Sequence, residues 1–260
     1  MDVTARFAEV VGRSEREIPL DEAALLIAAH AHPGLDIDGR LADLDALANE
    51  AAAHDPAVLA HRLFVELGFA GNTVDYGDPR NSYLDDVLAR RLGIPITLSV
   101  LMMEVGRRSG VTLGGVGMPG HFLVTTGGDD PVWFDPFHDG RVLDVDGCRS
   151  VFQVVHGDAA EFSLDHLAIT PARTILDRML ANLHHSLMQR DPASAPWVIR
   201  LRLSIPGASP AHRRRLATAL GGLGRFDEAA DVLLRLAEEL EGNEATIAAR
   251  EGTALRARGN

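Results

Sequence analysis

His121 and Asp135 are the residues of this sequence best placed for chemistry. His121 stands in the apolar run "PGHFLV", and Asp135 ends the run "VWFDP" fourteen residues later. Both runs alternate as short strands do. A His on one strand and an Asp closing the next is the layout of a base and its orienter in a nucleophile–His–Asp triad. There the imidazole takes the nucleophile's proton and the carboxylate fixes the imidazole's tautomer. The nucleophile would come from the apolar segment just upstream, where Thr97 and Ser99 carry hydroxyls, or from Cys148, the sole thiol.

The elements that must position these groups follow from periodicity. Residues 3–12 and 21–31 repeat as helices, the second with acids in its first turn where the helix dipole favours them. "IDGRLADLDALANEAAAH" places Leu41, Leu44 and Leu47 on one stripe, and Pro56 opens a further helix at its first turn. The stretch Ala70–Ser82, "AGNTVDYGDPRNS", is dense in turn formers and reads as a loop with several specified turns. A helix over Tyr83–Leu92 precedes a buried helix from Pro95 to about Ser109. Past Gly110 the period becomes two: "VTLGGVGM", "HFLVTT", "VWFD" and "RVLDV" read as strands of a small antiparallel sheet, so the class is α+β. "CRSVFQVVHG" reads as a helix, and everything from about Pro171 onward is helical.

These words resemble the transglutaminase-like superfamily, whose motif G-x-C-x-x-x-A opens a helix and is followed by a His on one strand and an Asp before Pro on the next. Gly93, Ser99, His121, Asp135 and Pro136 match it, and the nucleophilic Cys position falls on Pro95. "LFVELGFAGNTVDYGDPRNSYLDDVLARRLGIPITLSVLMMEVGRRSG", "GVGMPGHFLV" and "WFDPF" are closer to one branch, the SirB-type proteins, which join such a domain to tetratricopeptide repeats and whose usual pattern also carries Ile-Pro there. The resemblance implies a papain-like domain over residues 1–168 and a tetratricopeptide-like domain over 169–260. It sets Asp75, Tyr76, Arg80 and Asn81 just upstream of the nucleophile helix, as candidates for lining the cleft; Asp78 and Asn81 could equally serve as turn and helix caps. "ALGGLGRFDEAADVLLRLAEEL" matches half a repeat, and a 34-residue shift lays Ala195 under Ala229 and Ile199 under Leu233.

Ser99 lies one helical turn after Pro95 and shares its face, whereas Thr97 points about 160° away. Ser99 is therefore the better hydroxyl for His121. Cys148 follows both His121 and Asp135, against the Cys, His, Asp order of the resembling enzymes.

Composition removes other classes. A net charge of −12 speaks against a nucleic-acid surface, and the one basic cluster, His212–Arg215, reads as a solvated helix face. All 25 basic residues are Arg, which excludes lysine Schiff-base chemistry. The eleven His show no compact ligand spacing, and no phosphate-binding glycine motif occurs, so neither metal nor cofactor is expected. No apolar run has the length of a membrane span, and one Cys permits no internal disulfide, so a cytoplasmic protein is expected.

Three functions stay open at this level. One is a degenerate member acting as an interaction or regulatory module, with a protein or peptide bound by the C-terminal repeats. The second is a hydrolase or acyltransferase using Ser99, His121 and Asp135. The third is a non-reactive cleft that recognises a small ligand or peptide terminus through Arg80 or Asn81 and His121.

Overall fold

A computed structural model describes residues 2–259. The chain forms two compact units, Met1–Met179 and Leu180–Asn260.

The first unit begins with α1 (Val3–Gly12), α2 (Leu20–Ala31), α3 (Ile37–Ala51) and α4 (Pro56–His61). Their starts follow local chemistry. Asp2 accepts from the Thr4 amide, Asp36 from Gly39, and Asp55 from Ala57 and Val58 ahead of Pro56 at the first turn. Where one continuous helix was expected after Pro56, α4 passes into a π-helical turn, Arg62–Glu66, closed by Leu67 N–H to Arg62 O at 2.8 Å. The widened turn buries Phe64 against Gly140, where a Cβ would lie 2.6 Å from the ring.

β1 (Ala70–Gly71) follows, then α5 (Leu84–Arg90), β2 (Leu92–Gly93) and α6 (Pro95–Arg108). β1 and β2 pair in parallel, so the start of the expected loop is tied to the residues just before α6. α6 carries Pro95 at its first turn and is buried along most of its length. Leu98, Leu101, Met102 and Val105 are completely enclosed, each contributing roughly 1.5–3 kcal/mol of burial. Its C-terminal turn is pinned to α2: Arg108 reaches Asp21 at 2.6 Å and Arg107 reaches it at 2.9 Å.

Four short strands come next, β3 (Gly114–Val116), β4 (Leu123–Thr125), β5 (Trp133–Asp135) and β6 (Arg141–Leu143), in an antiparallel sheet of order β3-β4-β5-β6. Each is shorter than its alternating run, and in β3 the glycines themselves, Gly114 and Gly115, pair with Thr125 and Val124. α7 (Val145–His156), capped by Asp144, closes over a cluster of Val116, Met118, Leu123, Trp133, Cys148 and Phe152. α8 (Ala172–Arg190) ends the first unit's sequence and begins the second's.

The second unit adds α9 (Pro196–Ser204), α10 (Pro210–Gly222), α11 (Phe226–Glu239) and α12 (Gly242–Gly259). Gly224, at φ +75°, makes the turn between α10 and α11, a conformation that favours glycine. Ala195, Ile199, Ala229 and Leu233, the residues matched by the 34-residue shift, are all buried. Within the expected basic face, Arg213 pairs with Glu239 and Arg214 with Glu251.

Candidate functional site

Strand register brings His121 to Asp135. Val124 faces Phe134 across β4 and β5, so the same register sets Leu123 opposite Asp135 and leaves His121, two residues earlier, on the same face as a diagonal neighbour. His121 Nε2 lies 2.8 Å from Asp135 Oδ1. Across the other edge of β5 the register pairs Asp135 with Arg141, whose Nη2 reaches Oδ2 at 3.0 Å. His138, in the turn between β5 and β6, brings Nδ1 to the same oxygen at 2.8 Å. Asp135 is completely buried and His121 is 7% exposed.

Burial alone would raise the Asp135 carboxyl, but the hydrogen bonds and charge of His121 and then His138 outweigh it and hold it down at about 2. An ionised carboxylate only accepts, so a neutral His121 carries its proton on Nε2 and keeps a lone pair on Nδ1. No hydrogen bond involves that Nδ1 among the described residues. This is the tautomer a general base requires.

The loop of residues 70–82 borders this corner and is held rigid from within. Asn81 is completely buried; its amide donates to the carbonyls of Asp75 and Tyr76, and its oxygen accepts from Asn72 at 3.0 Å. The Asn72 side chain accepts in turn from the Asp75 amide. Asp78 caps the turn through the Arg80 amide and pairs with Arg80 at 2.8 Å and Arg90 at 3.4 Å. Asn81 and Asp78 are thus engaged inside the loop, and Arg80 is engaged with Asp78. Tyr76 stays half-exposed, and its ring meets Phe137 edge-on at 5.8 Å, which in turn meets His121 at 6.3 Å. Gly71 permits this approach, since a Cβ there would fall 2.5 Å from the Phe137 ring.

The opposite wall, α6, offers no equivalent. Pro95 has no group to donate or accept from its side chain. The hydroxyls of Thr97 and Ser99 are buried and have no hydrogen-bond partner among the described residues, so Ser99 is not bonded to His121. Cys148 is enclosed in the cluster under α7, and burial, with the charges of Asp144 and Asp135, pushes its thiol up to about 12.

His138, Arg141 and Arg178 belong to the site and escaped the sequence reading. The first two carry a signal, being three and six residues past Asp135 in a tight strand turn. Arg178, on α8, donates to the carbonyls of Met118 at 3.3 Å and His121 at 3.1 Å, a long-range contact with no local pattern. Among the described residues two groups have ligand atoms close enough to hold a metal, within 4.8 Å of one another: His121, Asp135 and His138, and separately His32, Asp85 and Asp86.

The profile of the transglutaminase-like superfamily matches residues 36–181, more than half of the sequence, and the chain belongs to that superfamily. Among curated proteins it is similar to a UPF0162 protein of Xylella fastidiosa, 40% identical over 185 residues, covering 65% of each chain. It is 33% identical over 133 residues to a UPF0162 protein of Vibrio cholerae, covering 50% of this chain and 49% of that one. It is also 35% identical over 130 residues to F-box only protein 21 of Mus musculus, 46% of this chain and 20% of that protein. The matches therefore span less than two thirds of these relatives' own lengths. No solved structure matches the chain.

Proposed function

We propose that this is a degenerate transglutaminase-like protein of the SirB type, working as a cytoplasmic interaction or regulatory module. In this reading a papain-like domain of residues 1–168 keeps the His121–Asp135 pair but has Pro95 where a nucleophilic Cys would stand. The observation that carries it is the one-sidedness of the site: His121 is oriented as a base, and no hydroxyl or thiol is hydrogen-bonded to its Nδ1 among the described residues. The hydrolase reading through Ser99 gains no support, because that hydroxyl is buried and unbonded.

Residues 169–260 form the tetratricopeptide-like part and take a protein or peptide partner. The burial of both residue pairs separated by 34 positions supports this, as does a cavity of about 260 Å³ between α9, α10 and α11, lined by Arg200, Arg213, Arg235, Glu228 and Asp231. Matching only 20% of F-box only protein 21 supports a module used beside other segments. A lone, buried Cys148 fits a reducing compartment.

Affinity purification of the full chain from native lysate tests the proposal. A stoichiometric partner that is retained by His121→Ala and lost on reversing Arg200 and Arg235 to Glu is expected. The absence of any stoichiometric partner across growth conditions counts against it.

A further inference from the structure

Arg178 is an unusual cation among the half-buried arginines described in this unit. Arg6, Arg107, Arg108, Arg141 and Arg173 each meet a carboxylate. Arg178 meets only backbone carbonyls, those of Met118 and His121, and lies over the Phe122 ring at 5.2 Å. Among the described residues no carboxylate is within ion-pair reach of it. Burial works against its charge.

A half-buried guanidinium without an anion is costly unless something supplies the missing charge. Asp135 does not, being engaged by His121, His138 and Arg141. Near His121, Arg141 is paired with Asp135 while Arg178 meets carbonyls, in a chain whose net charge is −12. Beside His121, Tyr76 and Phe137 offer aromatic surface, Tyr76 being 53% exposed. Arg178 holds the His121 carbonyl at 3.1 Å, and Tyr76 reaches the His121 ring through Phe137. A planar fork of donors and a phenol hydroxyl on the two sides of His121 suit the two oxygens of a carboxylate, and the rings suit an apolar group attached to it.

We propose that Arg178 and the Tyr76 hydroxyl form a carboxylate-binding corner of the His121 site, with the ligand's carbon skeleton resting on Tyr76 and Phe137. This goes beyond the reading above, since it stands whether or not the second unit binds a partner. It also relocates anion recognition from Arg80, which Asp78 already holds, to a residue 98 positions further along the chain. The carboxylate belongs either to a small molecule or to a peptide C terminus.

Calorimetric titration of the full chain tests it, using benzoate, N-acetyl-alanyl-phenylalanine, that peptide's C-terminal amide, and inorganic phosphate. Either acid is expected to bind while the amide does not. Arg178→Gln is expected to weaken binding tenfold or more, and Tyr76→Phe three- to tenfold. Because Arg178 also holds the carbonyls of Met118 and His121, Arg178→Lys is included: it keeps the charge without the fork and should fall between wild type and Arg178→Gln. Tyr76→Phe lies at a half-exposed position and should fold as wild type does. Tighter binding of the peptide acid assigns the carboxylate to a peptide terminus, and tighter binding of benzoate assigns it to a small molecule. No binding of either acid at millimolar concentrations, equal binding of the amide, phosphate binding as tightly as the acids, or full affinity in the Arg178 and Tyr76 variants overturns the proposal.

Discussion

Two buried polar groups on facing elements, Asp135 on the sheet and the hydroxyls of Thr97 and Ser99 on α6, are treated in opposite ways. On the sheet wall every oxygen of Asp135 is engaged, by His121 on one side and by His138 and Arg141 on the other. On the α6 wall the hydroxyls of Thr97 and Ser99 are buried with no partner among the described residues. A buried polar network that is fully satisfied is rigid and costly to disturb, whereas an isolated buried hydroxyl contributes little and can cost stability. Asp135 fixes the tautomer and orientation of His121, and the hydroxyls of Thr97 and Ser99 are packed without a polar partner among the described residues.

Breaking the satisfied wall should have the largest effect. Asp135→Ala leaves His121 and the Arg141 guanidinium facing a void, and is expected to cost about 3–5 kcal/mol in urea denaturation at pH 7. A loss under about 1 kcal/mol would mean the network is not coupled to folding.

The same network predicts an acid limb. Asp135 is depressed to about 2 from an ordinary 3.8, so its stabilisation is fully present above the unfolded value and lost as pH falls from about 4 through 2. That limb should amount to about 2 kcal/mol, and Asp135→Asn should flatten it. A wild-type profile matching that of Asp135→Asn between pH 4 and 2 would remove the electrostatic argument.

The far end of α6 sharpens the contrast with a carboxyl shifted the other way. Burial first, and then the charge of Asp21, push Glu104 up to about 7 against the pull of Arg107. A raised carboxyl favours the folded state while protonated, so its contribution is present below the unfolded value and declines as pH rises through about 7. Glu104→Gln should therefore be more stable than wild type at pH 8, by about 1–2 kcal/mol, with the difference vanishing near pH 4. An equal or lower stability at pH 8 would show that Arg107 and Arg108 hold Glu104 ionised.

The smallest effect belongs to the unsatisfied wall. Ser99→Ala removes a buried hydroxyl that bonds to nothing and should change stability by less than about 1 kcal/mol, in either direction. A loss above about 2 kcal/mol would reveal a partner for that hydroxyl.

The sheet half of this contrast was legible in the sequence, whereas Ser99, expected as the better hydroxyl for His121, is unbonded among the described residues. The His121–Asp135 contact could be read because two alternating runs joined by a Gly- and Asp-rich turn fix a hairpin, and a hairpin fixes which residues share a face. α6 could be read from its apolar density and the proline at its start. The loop after Phe69 could be located, with Asp78 and Asn81 read as turn formers on equal terms with cleft lining, but the engagement of Arg80 by Asp78 could not, since it depends on which turn each side chain closes. The π turn at Arg62–Glu66 has no marker in composition. Arg178 was out of reach because it meets the His121 segment from 57 residues away, and long-range placement of a single arginine leaves no periodic trace.

The central claim is that His121 is a base without a nucleophile, and intact-protein mass after fluorophosphonate and iodoacetamide treatment tests it most directly. Wild type should take up neither reagent in its folded form, Cys148 included. Pro95→Cys, which restores a thiol at the motif position, should be alkylated at residue 95 near pH 6, and much more slowly when His121→Ala is added. Fluorophosphonate labelling of wild type that both Ser99→Ala and His121→Ala abolish would contradict the account and make Ser99 the nucleophile of a working triad.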